Sequence, residues 1–246
     1  MSELLNQIEQ LSSYIKASGN TVFFGGAGVS TESGIPDFRS EDGLFKAQKA
    51  YGYPPENLLS RTFFDREQEL FFRYYRENLI SLDVRPNAAH IALAELERAG
   101  KLKIIITQNV EGLHQAAGSV NVIELHGSNH RQLCMKCGEV YPLEYILKQD
   151  IIPKCEKCGG AVRPDIVLYE EQLDRAVINK AIRAIAAAEL MIVGGTSLSV
   201  YPAAGLLQYF TGDTLVLINK SETQADKNAQ LVIRESIGKV LSMVKV

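Results

Sequence analysis

Thr21-Val22-Phe23-Phe24-Gly25-Gly26-Ala27-Gly28-Val29-Ser30, continued by Thr31-Glu32-Ser33-Gly34-Ile35-Pro36-Asp37-Phe38-Arg39, is the stretch that decides the fold. A short apolar run ends in small residues. That order reads as a buried strand whose backbone then passes close to a phosphate. Polar and aromatic side chains follow at once and bring reactive groups to the same spot. The combination points to a nucleotide held by its pyrophosphate. Glycines alone leave a bare strand-to-helix turn as an open reading.

The surrounding rhythm supports a layered fold. Residues 3–17 place Leu4, Leu5, Ile8, Leu11, Tyr14 and Ile15 on one helical face. Residues 40–60 read as loop, Thr62–Leu82 as one aromatic-rich helix, and Pro86–Ala99 as another with Pro86 in its first turn. Apolar strands are expected at 103–107, 122–125, 190–193 and 215–218, with helices near 174–188 and 234–244. Near-continuous apolar strands alternating with helices imply a parallel sheet covered on both faces. The fold class is therefore α/β. It reads as a Rossmann-like doubly wound parallel sheet with a helical lid module and a small inserted module, whose two Cys-x-x-Cys pairs, Cys134/Cys137 and Cys155/Cys158, mark it as a zinc ribbon. The expected layout is a single domain over 1–246. Its nucleotide-binding core covers about 1–39, 86–127 and 166–246, the helical module about 40–85 and the metal module about 128–165.

A net charge of −3 gives no reason to expect nucleic acid or an anionic membrane as partner. No segment approaches the ~18 uninterrupted apolar residues of a membrane span. The start, Met1-Ser2-Glu3-Leu4, lacks the basic opening of a secretory signal. A cytoplasmic location is expected.

All four cysteines fall between 134 and 158, as Cys134-x-x-Cys137 and Cys155-x-x-Cys158. In a reducing compartment such a cluster reads as metal binding rather than as a disulfide framework. A catalytic zinc needs an open position for water, and four thiolates leave none, so one structural zinc is expected. The window has mixed charge without interleaved aromatics, which argues against a nucleic-acid grip.

Four further segments lie at the C-terminal ends of expected strands, the edge where open α/β sheets bind ligands. They are Thr107-Gln108-Asn109-Val110-Glu111-Gly112-Leu113-His114, His126-Gly127, Gly194-Gly195-Thr196-Ser197-Leu198-Ser199-Val200 and Ile218-Asn219-Lys220. With the opening motif and the cysteines, they resemble the sirtuin family of NAD-dependent protein deacylases, in its bacterial single-domain layout. The likeness runs from about residue 8 to the C-terminus.

The resemblance implies an NAD-dependent protein-lysine deacetylase. Such an enzyme transfers the acetyl group of acetyl-lysine to ADP-ribose and releases nicotinamide. It implies His126 and Asn109 as the catalytic pair, with His126 as general base on a ribose hydroxyl. Ala27, Gly28 and Thr31 would meet the pyrophosphate. Phe38 would cover the nicotinamide end and Arg39 the phosphates or reacting ribose. Gln108 and Asn109 would contact ribose hydroxyls, and Val110 and Glu111 the nicotinamide carboxamide. Thr196, Ser197 and Asn219 would hold phosphate and adenosine ribose, with Ile237 beside adenine. Val167, Leu168, Tyr169 and Glu170 match the family's substrate strand. That strand would pair with an acetylated-lysine peptide through the backbone, Val167 bonding the lysine backbone or side-chain amide. Phe38 also suits plain core packing, and Ser or Thr at strand ends is common without a ligand. Of the other histidines, His90 reads as structural, His114 as holding its loop by a hydrogen bond and His130 as surface.

Two positions depart from the family. Glu111 replaces the usual Asp of T-Q-N-x-D, and Tyr169-Glu170-Glu171 replaces Phe-Gly-Glu. Glu170 would then either favour basic peptides or hinder peptide entry. The Tyr-x-x-Arg pair of desuccinylating members is missing, since Glu56 follows Tyr53 at the third position. Neutral acyl groups are therefore expected. A monomer is expected. The alternatives are a mono-ADP-ribosyltransferase or NAD hydrolase using the same pocket, and a non-catalytic NAD-sensing module.

Overall fold

The computed structural model describes residues 2–36, 41–149 and 151–246. The strands in chain order are β1 (Thr21–Gly25), β2 (Ile104–Thr107), β3 (Val122–Glu124), β4 (Gly127–Cys134), β5 (Val140–Pro142), β6 (Val162–Ile166), β7 (Leu190–Gly194), β8 (Thr214–Ile218) and β9 (Leu231–Ile233). Six of them form one parallel sheet in the order β3-β2-β1-β7-β8-β9. The chain winds outward from β1 through β2 to β3, then returns to β7 on the other side and winds outward again. The order therefore reverses between β1 and β7, and a crevice opens above their C-terminal ends. Gly25 and Gly194 face each other there in register.

Strand residues alternate between two cores, as the period of two requires. Phe23, Ile105, Ile192 and Val216 pack on one face against α1 (Ser2–Ala17), α6 (Ala88–Arg98), which has the short α7 (Leu113–Ala116) beside it, and α10 (Ile237–Leu241). Val22, Phe24, Ile106, Met191, Val193 and Leu217 pack on the other against α9 (Arg175–Ala186) and the tight helical turn Ala203–Tyr209. In α1 the buried stripe is Ile8, Leu11, Ser12 and Ile15. Leu5 lies off it and is 43% exposed.

The region between β1 and α6 is more helical than its sequence suggests. Residues 40–60, read as loop, contain α2 (Glu41–Tyr51) and α3 (Pro55–Leu58). The expected single helix is two, α4 (Arg61–Arg66) and α5 (Gln68–Asn78), broken at Glu67. Ser60 caps α4 by accepting from Phe63 N–H at 3.1 Å. Pro86 lies ahead of α6, whose cap is Asn87. The Asn87 side chain accepts from Ala89 and His90 N–H, while His90 Nδ1 accepts from Asn87 N–H. Histidine thus fills the third position of a capping box. The helix expected near 234–244 is the short α10, and ahead of it Leu231-Val232-Ile233 forms a strand the sequence reading lacked, β9, which completes the sheet beside β8.

Strands β4, β5 and β6 make a separate antiparallel sheet in the order β5-β4-β6, with α8 (Leu143–Leu147) beside it. Its core is shared. Phe64, Phe71, Phe72 and Tyr75 from the helices pack directly against Cys134, Leu143, Ile146, Cys155, Val162, Ile166 and Leu168. Phe64 meets Phe71 edge-on with centroids 4.9 Å apart, and Phe71 meets Phe72 at 5.4 Å. Two excursions from the sheet, far apart in sequence, therefore have one hydrophobic interior.

Candidate active site

A cavity of about 190 Å³ sits at the crevice above β1 and β7. Most of its lining comes from strand ends. Ala27, Gly28 and Ser30 follow β1, Gln108 to Glu111 follow β2, His126 follows β3, and Thr196 and Ser197 follow β7. Val167, Leu168 and Tyr169 close the side beyond β6, and Pro55, Leu59 and Leu79 close the helical side. The loops after β1 and β7 touch: Gly28 N–H donates to Gly195 C=O at 2.8 Å. A Cβ on Gly28 would stand 2.8 Å from the Gly195 backbone. Close backbone approach to Gly195 thus requires glycine at 28. The backbone N–H groups of Thr196 and Ser197 have no partner among the described residues. Both residues line the cavity, and backbone donors of this kind suit an anionic oxygen. The donor set and the crevice fit the pyrophosphate of a dinucleotide.

Four expected site residues lie off this wall. Thr31 is exposed, with its hydroxyl donating to Gly28 C=O at 3.0 Å. Asn219 follows β8, its amide donating to Ser221 C=O at 3.0 Å. Ile237 is 3% exposed in the main core beneath Gly194 and does not reach the cavity. Glu170 is exposed, outside the lining. Phe38 and Arg39 lie outside the described residues.

His126 Nδ1 is 2.8 Å from the Gln108 carbonyl oxygen. A carbonyl only accepts, so Nδ1 carries the proton and Nε2 is the basic nitrogen of the neutral ring. Beside it the Asn109 amide donates to Ser30 Oγ at 3.0 Å and to Glu111 Oε1 at 3.2 Å. Ser30 Oγ donates to the same Glu111 oxygen, and Val110 N–H donates to Glu111 Oε2 at 3.1 Å. Behind Ser30 stands His90, its Nε2 3.5 Å from Ser30 Oγ. With Nδ1 accepting from Asn87, the His90 proton sits on Nε2 and points at Ser30.

His90 and His114 meet edge-on with centroids 4.7 Å apart. Burial pushes His90 down to about 4. Burial, helped by His90, pushes His114 down to about 3. Both are neutral near pH 7. The hydrogen bond expected of His114 does not form: neither ring nitrogen has a partner among the described residues. The ring is held by packing on His90 and Phe23.

The segment after β6 is held on several sides. Val167 N–H donates to His126 C=O at 2.9 Å. Tyr169 N–H donates to Leu59 C=O, and Arg61 N–H donates to Tyr169 C=O, both at 3.0 Å. Glu170 sits at φ 74, a left-handed conformation that explains why glycine suits this position. Its carboxylate accepts from Thr62 N–H at 2.8 Å, in the first turn of α4. It therefore neither enters the cavity nor blocks it. Burial alone would raise the Glu171 carboxyl, but Arg163, Leu168 N–H and Arg61 hold it below the usual carboxylate range.

The four cysteines converge as their spacing requires. Their sulfurs all lie within 4.8 Å of one another, with Cys134–Cys158 at 3.4 Å and Cys137–Cys155 at 3.6 Å. A tetrahedron with Zn–S near ~2.3 Å has edges of about 3.8 Å, so the set fits one zinc ion.

Fold and site together define a dinucleotide-binding protein with a separate thiolate metal site. The model of the Sir2 family matches residues 26–202. The NAD-dependent protein deacetylase of Clostridium acetobutylicum is 59% identical over 242 residues, covering 98% of this chain and 99% of that protein. A Sir2 homolog–NAD complex superposes with TM-score 0.88 at 40% identity, over 96% of this chain and 91% of the other. A Sir2 protein bound to acetylated peptide gives 0.85 at 36% identity, over 95% of both. The chain belongs to the Sir2 family, the sirtuins.

Proposed function

We propose that this chain is an NAD-dependent protein-lysine deacetylase, transferring acetyl from acetyl-lysine to ADP-ribose and releasing nicotinamide. The observation that carries the reading is the His126–Gln108 bond, which fixes the tautomer of a cavity-lining imidazole with Nε2 as its basic nitrogen. NAD supplies an electrophilic sugar carbon when bound, with nicotinamide as leaving group. In this reading Thr196 and Ser197 hold phosphate through backbone donors, with Ala27, Gly28 and Thr31 beside them. Gln108 and Asn109 meet ribose hydroxyls, and Val110 and Glu111 meet the nicotinamide end. Phe38 and Arg39 complete that end, and Asn219 the adenosine end. His126 takes a proton from a ribose hydroxyl.

The acetylated peptide lies along 167–170. Among the described residues the Val167 carbonyl and the Glu170 backbone are groups of this segment without a hydrogen-bond partner, so recognition rests on backbone and tolerates sequence variation. The apolar wall of Pro55, Leu59, Leu79 and Leu168 suits a neutral acyl group. Cys134, Cys137, Cys155 and Cys158 hold the zinc as a structural crosslink. A monomer working in the cytoplasm fits a reduced thiolate site.

Mass spectrometry of products from NAD and an acetyl-lysine peptide tests this. Deacetylated peptide, nicotinamide and O-acetyl-ADP-ribose should form in equal amounts. His126→Ala should lower kcat by about 10²–10⁴-fold, the usual worth of a general base. Nicotinamide release at an undiminished rate without the acetylated peptide would refute the reading.

A further inference from the structure

Strand β4 belongs to the zinc module, yet part of it leaves its own sheet. Between Ser128 and Gln132 its pairing with β6 slips register. The displaced residues reach the loop after β2. Asn129 N–H donates to Val110 C=O at 2.8 Å, and His130 Nε2 lies 2.9 Å from Glu111 C=O. Since the carbonyl only accepts, Nε2 is protonated and donates. Two consecutive residues of one bulge therefore hold two consecutive carbonyls of the loop that presents Asn109 and Glu111. The His130 ring also covers Gly112, which has φ 74 and where a Cβ would stand 2.7 Å from Nε2. Asn129 is anchored behind: it accepts from Tyr75 Oη at 3.1 Å and donates to Leu79 C=O at 2.8 Å.

We propose that His130 is a positioning residue for the nicotinamide–ribose end of the site, an inference that rests on the deacetylase reading above. The imidazole does not line the cavity and touches no reacting group. It acts through the backbone. Glu111 is held by its carboxylate from the Ser30 and Asn109 side and by its carbonyl from the His130 side. Without the His130 donor, the Glu111–Gly112 peptide is free to turn, because Gly112 tolerates both signs of φ. The Glu111 side chain turns with it and releases Asn109. A surface histidine of the zinc module thereby sets the geometry at the leaving-group end.

His130→Ala and His130→Gln test this, the glutamine amide standing in for the Nε2 donor. His130→Ala should raise the KM for NAD and the nicotinamide inhibition constant by roughly three- to tenfold, the worth of one hydrogen bond. The KM for acetylated peptide and the zinc content should stay at parental values. His130→Gln should restore most of the loss. Amide exchange over 110–113 should quicken in His130→Ala while 134–138 stays protected. Unchanged constants with unchanged exchange at 110–113 would overturn the proposal. So would a uniform loss of all three constants together with zinc, which marks a merely structural role. A parent that makes no deacetylated product refutes the function instead, and the exchange arm still reports on the clamp because it needs no turnover.

Discussion

Acid should weaken this fold well before its carboxylates titrate, and His114 isolates the cause. The unfolded rings titrate near ~6.5, whereas burial holds folded His90 at about 4 and His114 at about 3. Between pH 7 and 5 the unfolded chain takes up protons that the folded chain refuses, so stability falls as pH falls. Linkage gives roughly 2 kcal/mol for each ring over that interval, or about 4 kcal/mol for the pair. That is a large share of the ~5–15 kcal/mol typical of a domain. Glu171 and Asp226, both held below their ordinary values, contribute stability above about pH 4–5 and lose it only below, outside this window.

Because the His114 ring nitrogens have no partner among the described residues, His114→Leu removes a titrating ring without orphaning a partner. Urea midpoints of parent and variant at pH 7 and pH 5 give the answer. The drop should shrink from about 4 to about 2 kcal/mol in the variant. Stability at pH 7 should change by no more than about 1–2 kcal/mol, as unpaired polar atoms leave and some packing is lost. An equal pH 7-to-5 decline in both proteins would refute the reasoning.

Three further expectations follow from the geometry. Removing zinc with a chelator should loosen α5 as well as the thiolate strands, since both share one core; amide exchange at 68–78 that is indifferent to the chelator would contradict this. Glu111→Asp should tighten nicotinamide inhibition, because the longer carboxylate is already engaged by Ser30, Asn109 and Val110 N–H; equal inhibition constants for the two proteins would count against it. Glu170→Ala should lower the thermal midpoint more than Glu170→Gly, since both lose the bond to Thr62 but only glycine relieves the left-handed backbone; the reverse order would sink that account.

The sheet was legible because its strands are continuous apolar runs and its ligand loops carry small or polar residues directly after them. The thiolate site was legible because two short knuckles at a suitable distance admit little else. Helices α2 and α3 were hidden by glycine, proline and tyrosine, whose local preferences were overridden by packing of Ala47 and Leu58 against Tyr74. The break at Glu67 was hidden because Phe63 to Tyr75 is apolar enough for either one helix or two. Strand β9 has only three residues, too few for a period to register. Ile237 resembled a ligand contact by position in the sequence, yet its side chain fills the core, which only three-dimensional packing reveals. His130 carried no signal at all: its role depends on a slipped register in β4. The Asn87-x-x-His90 pair, in contrast, could have been recognised as a capping box had histidine been admitted beside Glu and Gln.

The common interior of the two excursions has a consequence for anyone building chimaeras from such chains. Transplanting the thiolate knuckles of a distant relative alone would set foreign side chains against the native Phe64, Phe71 and Phe72. A graft that keeps its shape must exchange 41–78 and 127–166 as a matched pair, though 48 residues of unrelated sheet and helix separate them in sequence.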